Sequence, residues 1–104
     1  MAVQVVWSAP ALAQRRTILK YWLKRNGTSV YSRKLDARFR SAARIIARNP
    51  RIGRPSSFEG VRVKTVGDYL LFYRLHDKTI TIAALWDNRQ DPEKLKLPRR
   101  AEGA

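Results

Sequence analysis

Val61-Arg62-Val63-Lys64-Thr65-Val66-Gly67-Asp68-Tyr69-Leu70-Leu71-Phe72-Tyr73-Arg74-Leu75-His76-Asp77-Lys78-Thr79-Ile80-Thr81-Ile82-Ala83-Ala84-Leu85-Trp86 is the stretch whose reading decides the fold. Val61, Val63 and Thr65 alternate with Arg62, Lys64 and Val66, which is the two-residue period of a strand. Gly67-Asp68 is a tight-turn signal. Tyr69 to Tyr73 is nearly all apolar, as a central strand covered on both faces must be. His76-Asp77-Lys78 makes the next turn, and Ile80, Ile82, Ala84 and Trp86 then alternate with Thr79, Thr81, Ala83 and Leu85. The stretch therefore predicts a three-stranded antiparallel meander over roughly 61–66, 69–76 and 79–86.

Upstream, residues 50–60 are a basic, Pro/Gly-punctuated loop. Before it lies the clearest helix in the sequence. Thr28 or Ser29 can cap it, Asn49-Pro50 ends it, and Tyr31, Leu35, Phe39, Ala42, Ala43 and Ile46 recur at three- and four-residue spacing, which puts them on one stripe. Arg33, Arg40, Arg44 and Arg48 lie on another. A first helix, capped by Ser8 with Pro10 in its opening turn, carries Leu12, Ile18, Leu19, Trp22 and Leu23 roughly on one face and stops at Asn26-Gly27. So short a connection makes the two helices an antiparallel hairpin. Val3, Val5 and Trp7 alternate with Ala2, Gln4 and Val6, which predicts an N-terminal strand that pairs somewhere in the sheet. Downstream, the polar tail forms a helical turn around Asp91–Leu95, and 98–104 fray. The expected fold is α+β: one domain over 1–104, with a strand, a helical hairpin and a meander, the hairpin packed on one sheet face.

Composition narrows the function. The 104 residues contain no cysteine, which removes disulfides, thiol nucleophiles and cysteine-based zinc sites and suits a reducing cytoplasm. No run approaches the ~20 apolar residues of a membrane span, and the N-terminus has no signal-peptide pattern, so we expect a cytoplasmic protein with no membrane partner. Lys and Arg total 22 against 8 acidic residues, a formal net charge of +14. Such an excess attracts nucleic acid, ribosomes, anionic membranes or an acidic protein.

Six cations from loop, strand and tail form the candidate target-binding or nucleic-acid-binding set: Arg51, Arg54, Arg62, Lys64, Arg74 and Arg89. Alternation puts Arg62 and Lys64 on one face, expected to be the sheet face away from the helices, where several phosphates could be held. Cleaving RNA through its 2′-hydroxyl would need a base and an acid as well as cations. Here the supply is thin. His76 is the single histidine and sits at a turn, Tyr69 and Tyr73 lie in the central strand and read as core, and Asp87, Asp91 and Glu59 are acids of the kind common in turns. Asp87-Asn88-Arg89-Gln90-Asp91-Pro92 lacks the glycine and distal glutamate of a calcium loop, so neither a metal nor a cofactor is expected.

Taken together, Val5-Val6-Trp7-Ser8 with Ala11, the basic hairpin ending Asn49-Pro50-Arg51-Ile52-Gly53-Arg54, and Val61-Arg62-Val63-Lys64 resemble the RelE/ParE toxin superfamily of type II toxin–antitoxin systems. Tyr69-Leu70-Leu71-Phe72-Tyr73-Arg74, Ile80-Thr81-Ile82 and Trp86 to Pro92 are similar to the end of ParE-like members. The resemblance covers roughly residues 3–95. It implies a growth-inhibiting toxin, associated with plasmid stabilization and neutralised by a small, acidic, partly disordered antitoxin. ParE-like toxins poison DNA gyrase, whereas RelE-like toxins cut messenger RNA on the ribosome with basic sheet residues and, often, a C-terminal Tyr or His.

Arg62 and Lys64 match the paired basic residues of the nucleases. The basic residue expected next is Leu70 here, and the C-terminal Tyr or His is absent, so the resemblance is more ParE-like. Three readings stay open. The first is a gyrase-inhibiting toxin. The second is a ribosome-dependent endoribonuclease acting through Arg62, Lys64, Arg74 and Arg89. The third is a non-toxic nucleic-acid-binding domain.

Overall fold

The structure, a computed structural model, describes residues 3–91 and 94–97. In chain order it has β1 (Gln4–Trp7), α1 (Ala9–Asn26), α2 (Val30–Arg48), β2 (Arg54–Pro55), β3 (Arg62–Val66), β4 (Tyr69–His76) and β5 (Thr79–Asp87). The strands form one sheet in the order β1-β5-β4-β3-β2. The expected α+β architecture and meander are present. The sheet is larger than expected only by the two-residue β2, which the 50–60 loop contributes, while the expected N-terminal strand β1 takes the opposite edge, parallel to β5.

Local chemistry explains the helix boundaries. The Ser8 hydroxyl accepts from the Ala11 amide at 3.2 Å and donates to the Ala83 carbonyl at 3.2 Å, so one side chain caps α1 and ties it to β5. Gly27 ends α1 at φ 72°, a conformation that costs a glycine nothing. Ser29 occupies the cap position of α2 without a side-chain cap bond, and Ser32 Oγ donates to its carbonyl instead. The expected turn near 91–95 is marked by the Lys94 amide donating to the Asp91 carbonyl at 3.0 Å. The tail expected to fray, 98–104, lies outside the described residues.

Two apolar clusters sandwich the sheet. On the helix side, Leu35, Phe39, Ala42, Ala43 and Ile46 of α2 and Ala11 of α1 meet Val66, Tyr69, Leu71, Tyr73, Ile80, Ile82 and Leu85. The α2 stripe is the one its periodicity predicts. In α1 the inward residues are Ala11, Ile18, Leu19 and Trp22, while Leu12 and Leu23 point outward, 37% and 45% exposed. The reason is polar: Gln14 and Arg15 hold inward positions. Gln14 Oε1 accepts the Leu85 amide at 2.8 Å, and Arg15 pairs with Asp36 at 2.6 Å while its guanidinium lies 4.6 Å from the Trp7 ring centre. On the other side of the sheet, Val61, Val63, Leu70, Phe72 and Ala84 pack with Leu95, flanked by Phe58, Trp86 and Leu97.

Strict alternation along β5 does not hold. A bulge between the Phe72–Ala84 and Tyr73–Ile82 pairs leaves Ala83 as an extra residue. Ile80 and Ile82 therefore face the helices together with Leu85, whereas Ala84 and Trp86 face the other way. Without the bulge, the two isoleucines and Leu85 would lie on opposite faces.

Candidate functional site

The register places the six candidate cations in several surroundings. Arg62 pairs with Tyr73 and Lys64 with Leu71, both strand partners in the helix-side core. Arg62 and Lys64 are thus on the helix side of the sheet, not on the face away from it as alternation alone had suggested. The face away from the helices carries Val61, Val63, Leu70 and Phe72 and is covered by Phe58, Leu95 and Leu97. Apolar residues fill that face because β4 is buried on both sides, and the cations of β3 take the helix side, where Lys64 lies against α2 and Arg62 against the 50–60 loop.

Arg51 and Arg62 line one cleft of about 390 Å³ with Glu59, Gly60, Tyr73 and Leu75. The loop that shapes it hangs from Tyr73. The buried phenol accepts the Gly53 amide at 2.9 Å and donates to the Pro50 carbonyl at 2.7 Å, so both its hydrogen-bonding roles are spent on the backbone. Arg62 Nη1 donates to the Gly53 carbonyl at 2.6 Å. Gly53 is required here, because a Cβ would stand 2.7 Å from the Tyr73 hydroxyl and 2.9 Å from the Val63 carbonyl. Downstream, Ser56 Oγ donates to the Val61 carbonyl at 2.7 Å, with the Phe58 carbonyl 3.2 Å away, and accepts the Phe58 amide, which fixes the rest of the loop. Arg54, opposite Val63 at the sheet edge, reaches Thr65 Oγ1 at 3.3 Å.

Arg89 lies at the other end of β4. Four residues of strand separate Tyr73 from Tyr69, roughly 13 Å. There Arg89 grips Asp87 through both terminal contacts, 3.0 Å from Nε and 2.8 Å from Nη2, and its amide donates to the same carboxylate at 2.9 Å. These bonds hold the Asp87 carboxyl below the ordinary aspartate range and raise the guanidinium further above its own. The pair lines a cleft of about 320 Å³ with Thr17, Ile18, Tyr21, Tyr69 and Gln90. Tyr69 accepts the Trp22 indole N–H at 2.7 Å and meets Phe39 edge-on.

The other candidates stand apart. Arg74, opposite Thr81, is on the face away from the helices. Lys64 joins Arg38, Ser41, Ile45 and Thr65 in a shallow groove between α2 and β3. Arg38 was not singled out from the sequence, although its position beside the buried α2 stripe is the signal that would have found it. His76 is exposed at the β4–β5 turn, 3.6 Å from Asp77.

Chemically, the hydroxyls and carboxylates of both clefts are engaged or exposed rather than poised as bases, and the cation of the second cleft is paired with Asp87. Burial pushes both the Tyr69 and the Tyr73 hydroxyl above the ordinary phenol range, and each is hydrogen-bonded within the fold. Asp87 is committed to Arg89, and Glu59 is an exposed acid on the rim of the Arg51–Arg62 cleft. Among the described residues no group of three or more His, Asp or Glu could hold a metal ion, and no helix is long and apolar enough to cross a membrane.

No curated protein matches the chain. Its architecture is similar to a chain in the solved structure of the chromosomal ParDE toxin–antitoxin system from P. aeruginosa, with a TM-score of 0.73 and 21% identity, covering 82% of this chain and 95% of that one. At that identity the likeness concerns the fold. The family is shown by sequence: residues 5–92 match the model of the ParE toxin of the type II toxin–antitoxin system parDE. The chain belongs to the ParE toxin family.

Proposed function

We propose that this protein arrests bacterial growth by inhibiting DNA gyrase, and that a small acidic antitoxin neutralises it. The observation that carries the reading is the ParE family match over residues 5–92. The site chemistry supports it. The hydroxyls of Tyr69 and Tyr73 are engaged within the fold, Asp87 is neutralised by Arg89, and Arg62 is bonded to the Gly53 carbonyl. A toxin that acts by binding needs surface cations and no general base, which is the balance found here. Of the six candidate cations, Arg51 and Arg54 are exposed beside the partly buried Arg62 on the anchored loop and its neighbouring strand, and Lys64 lies in the adjacent groove. These four form the proposed target-facing set, with Arg89 at the second cleft and Arg74 on the opposite sheet face.

The basic surface also suits an acidic, partly disordered antitoxin that folds as it binds, opposite charge speeding the encounter. The decisive experiment is a plasmid supercoiling assay with purified gyrase and purified toxin, run with and without ATP. The expected result is loss of supercoiling with accumulation of cleaved plasmid after detergent and protease. Unimpaired supercoiling at a large molar excess of folded toxin would refute the gyrase reading. Primer extension on messages after brief induction separates the alternative: cuts at translated codons would make the chain a ribosome-dependent nuclease.

A further inference from the structure

The charge of this protein is concentrated in one layer. From Ala9 to Arg48, the span of the helical hairpin, the sequence contains eleven basic residues and one acid, Asp36, a formal +10 of the +14 total. That acid is itself paired with Arg15 at 2.6 Å and faces Arg40 at 3.5 Å. The remainder of the chain, which includes every cation of the candidate set above, has eleven basic residues against seven acids.

On α2 the cations are ordered. Leu35, Phe39, Ala42 and Ile46 mark the side turned to the sheet. Arg33, Arg40, Arg44 and Arg48 lie on nearly the opposite side, all exposed, spaced by seven, four and four residues. Lys34 beside the row is exposed as well, and Arg38 lies nearer the buried stripe. Four residues of helix rise about 6 Å, so the row extends about 22 Å from Arg33 to Arg48 along a rigid rod. The intervening residues on that side are small, Ala37 and Ser41, so nothing bulky stands between the guanidinium groups.

We infer that the outward face of α2 is a docking surface for the phosphate backbone of duplex DNA. Protein partners are held by buried aromatic and aliphatic anchors in pockets, and on this row's side of α2 the only large exposed aliphatic side chain among the described residues is Val30, at its N-terminal end. Single-stranded nucleic acid is held by aromatic stacking platforms, and α2 exposes no aromatic side chain on this side. A straight line of cations along a rigid helix matches a stiff rod that carries one charge per about 1.7 Å of axis. Sequence preference is not expected, since backbone contacts position a protein without reading bases. The inference goes beyond the gyrase reading and does not rest on it. A toxin that also holds DNA would engage its target where that target already holds a duplex.

The test uses purified full-length protein and a fluorescently labelled 20-base-pair duplex of arbitrary sequence, with anisotropy titrations across a salt series and no gyrase present. Arg33→Gln/Arg44→Gln/Arg48→Gln removes three charges from the row, and glutamine keeps the helix propensity. Lys78→Gln/Lys94→Gln/Lys96→Gln removes three charges elsewhere. Each released counterion contributes about 0.9 to the log–log salt slope, so the α2 variant is expected to lose about 2.7 of slope. The matched variant is expected to lose less than one. Circular dichroism and thermal melts verify that both variants fold. Equal losses in both would reduce the effect to diffuse net charge and overturn the inference. Absence of duplex binding at 50 mM salt would do the same, as would tighter, α2-dependent binding of poly-glutamate, which would assign the face to an acidic protein. None of these results bears on gyrase inhibition, which is read separately from supercoiling.

Discussion

Tyr73→Phe removes one oxygen atom, and the structure says what that atom holds. The phenol accepts from the Gly53 amide at 2.9 Å and donates to the Pro50 carbonyl at 2.7 Å, and the side chain is 1% exposed. Phenylalanine fills the same space but leaves both backbone groups without their partner. Gly53 is buried, so its amide carries the full cost of an unsatisfied donor, about 1–3 kcal/mol. Pro50 is half-buried and water can reach its carbonyl, so its share is that of one ordinary hydrogen bond, about 1 kcal/mol. The sum is about 2–4 kcal/mol, a large part of the ~5–15 kcal/mol expected of a domain this size.

Urea denaturation of the variant should shift the midpoint at unchanged slope. Amide exchange at Gly53 should rise well before the sheet opens, because the loop loses its anchor first. Tyr69→Phe is the internal standard: it frees only the Trp22 indole N–H, which is part-buried, and leaves the loop alone. Stability within about 0.5 kcal/mol of the wild type for Tyr73→Phe, with unaltered exchange at Gly53, would refute the claim that this phenol builds the Arg51–Arg62 cleft.

Arg15→Ala breaks the pair with Asp36 and the contact with Trp7, both partly shielded from water; a loss of about 1–3 kcal/mol is expected in thermal or urea unfolding, and Arg15→Lys should recover only part of it. Because the Arg89 bonds hold Asp87 below the ordinary aspartate value near 3.8, that carboxylate contributes stability above the unfolded value, and the contribution is lost as pH falls through the lowered one. Carboxyl NMR titration should show Asp87 moving back toward the ordinary value in Arg89→Gln, with a smaller acid-side stability slope. Deleting Ala83 removes the extra residue and leaves Ile80, Ile82 and Leu85 on one face by plain alternation, so the variant should still fold cooperatively. Inserting a second alanine after Ala83 should instead turn Leu85 away from the two isoleucines and abolish the cooperative melt; the opposite ranking of the two variants would contradict the register described here.

The helices and the central strand were legible because their signals are local. The α2 stripe and the run from Tyr69 to Tyr73 each declare a period and a burial within a few residues, and both are buried as read. What failed was non-local or polar. Arg15 and Gln14 point inward because their partners, Asp36 and Leu85, lie 21 and 71 residues away, and no window of sequence shows a pairing at that distance. The bulge at Ala83 defeats alternation with a single residue that looks like any other small one. The side taken by Arg62 and Lys64 could have been read from Val66, which shares their parity and is core, but Val61 and Val63 made the opposite side look equally apolar. Both sides are in fact covered, one by helices and the other by Phe58, Leu95 and Leu97. As for the cations, their types were visible, whereas their dispersal over two ends of β4 follows only from register.

The parallel pairing of β1 with β5 ties the order of synthesis to the onset of structure. Gln4 to Trp7 align with Thr79 to Ile82, and Ser8 closes on the Ala83 carbonyl across 75 residues of chain. The first strand to leave the ribosome is thus the last to find its place, since its edge does not exist until the final strand has been made. Such a distant pairing adds little to stability until its closure entropy has been met, and slows folding relative to a helical bundle. A chain that stops before Thr79 has a helical hairpin with an unpaired strand and no complete sheet. That topology confines the complete sheet to chains that extend through β5.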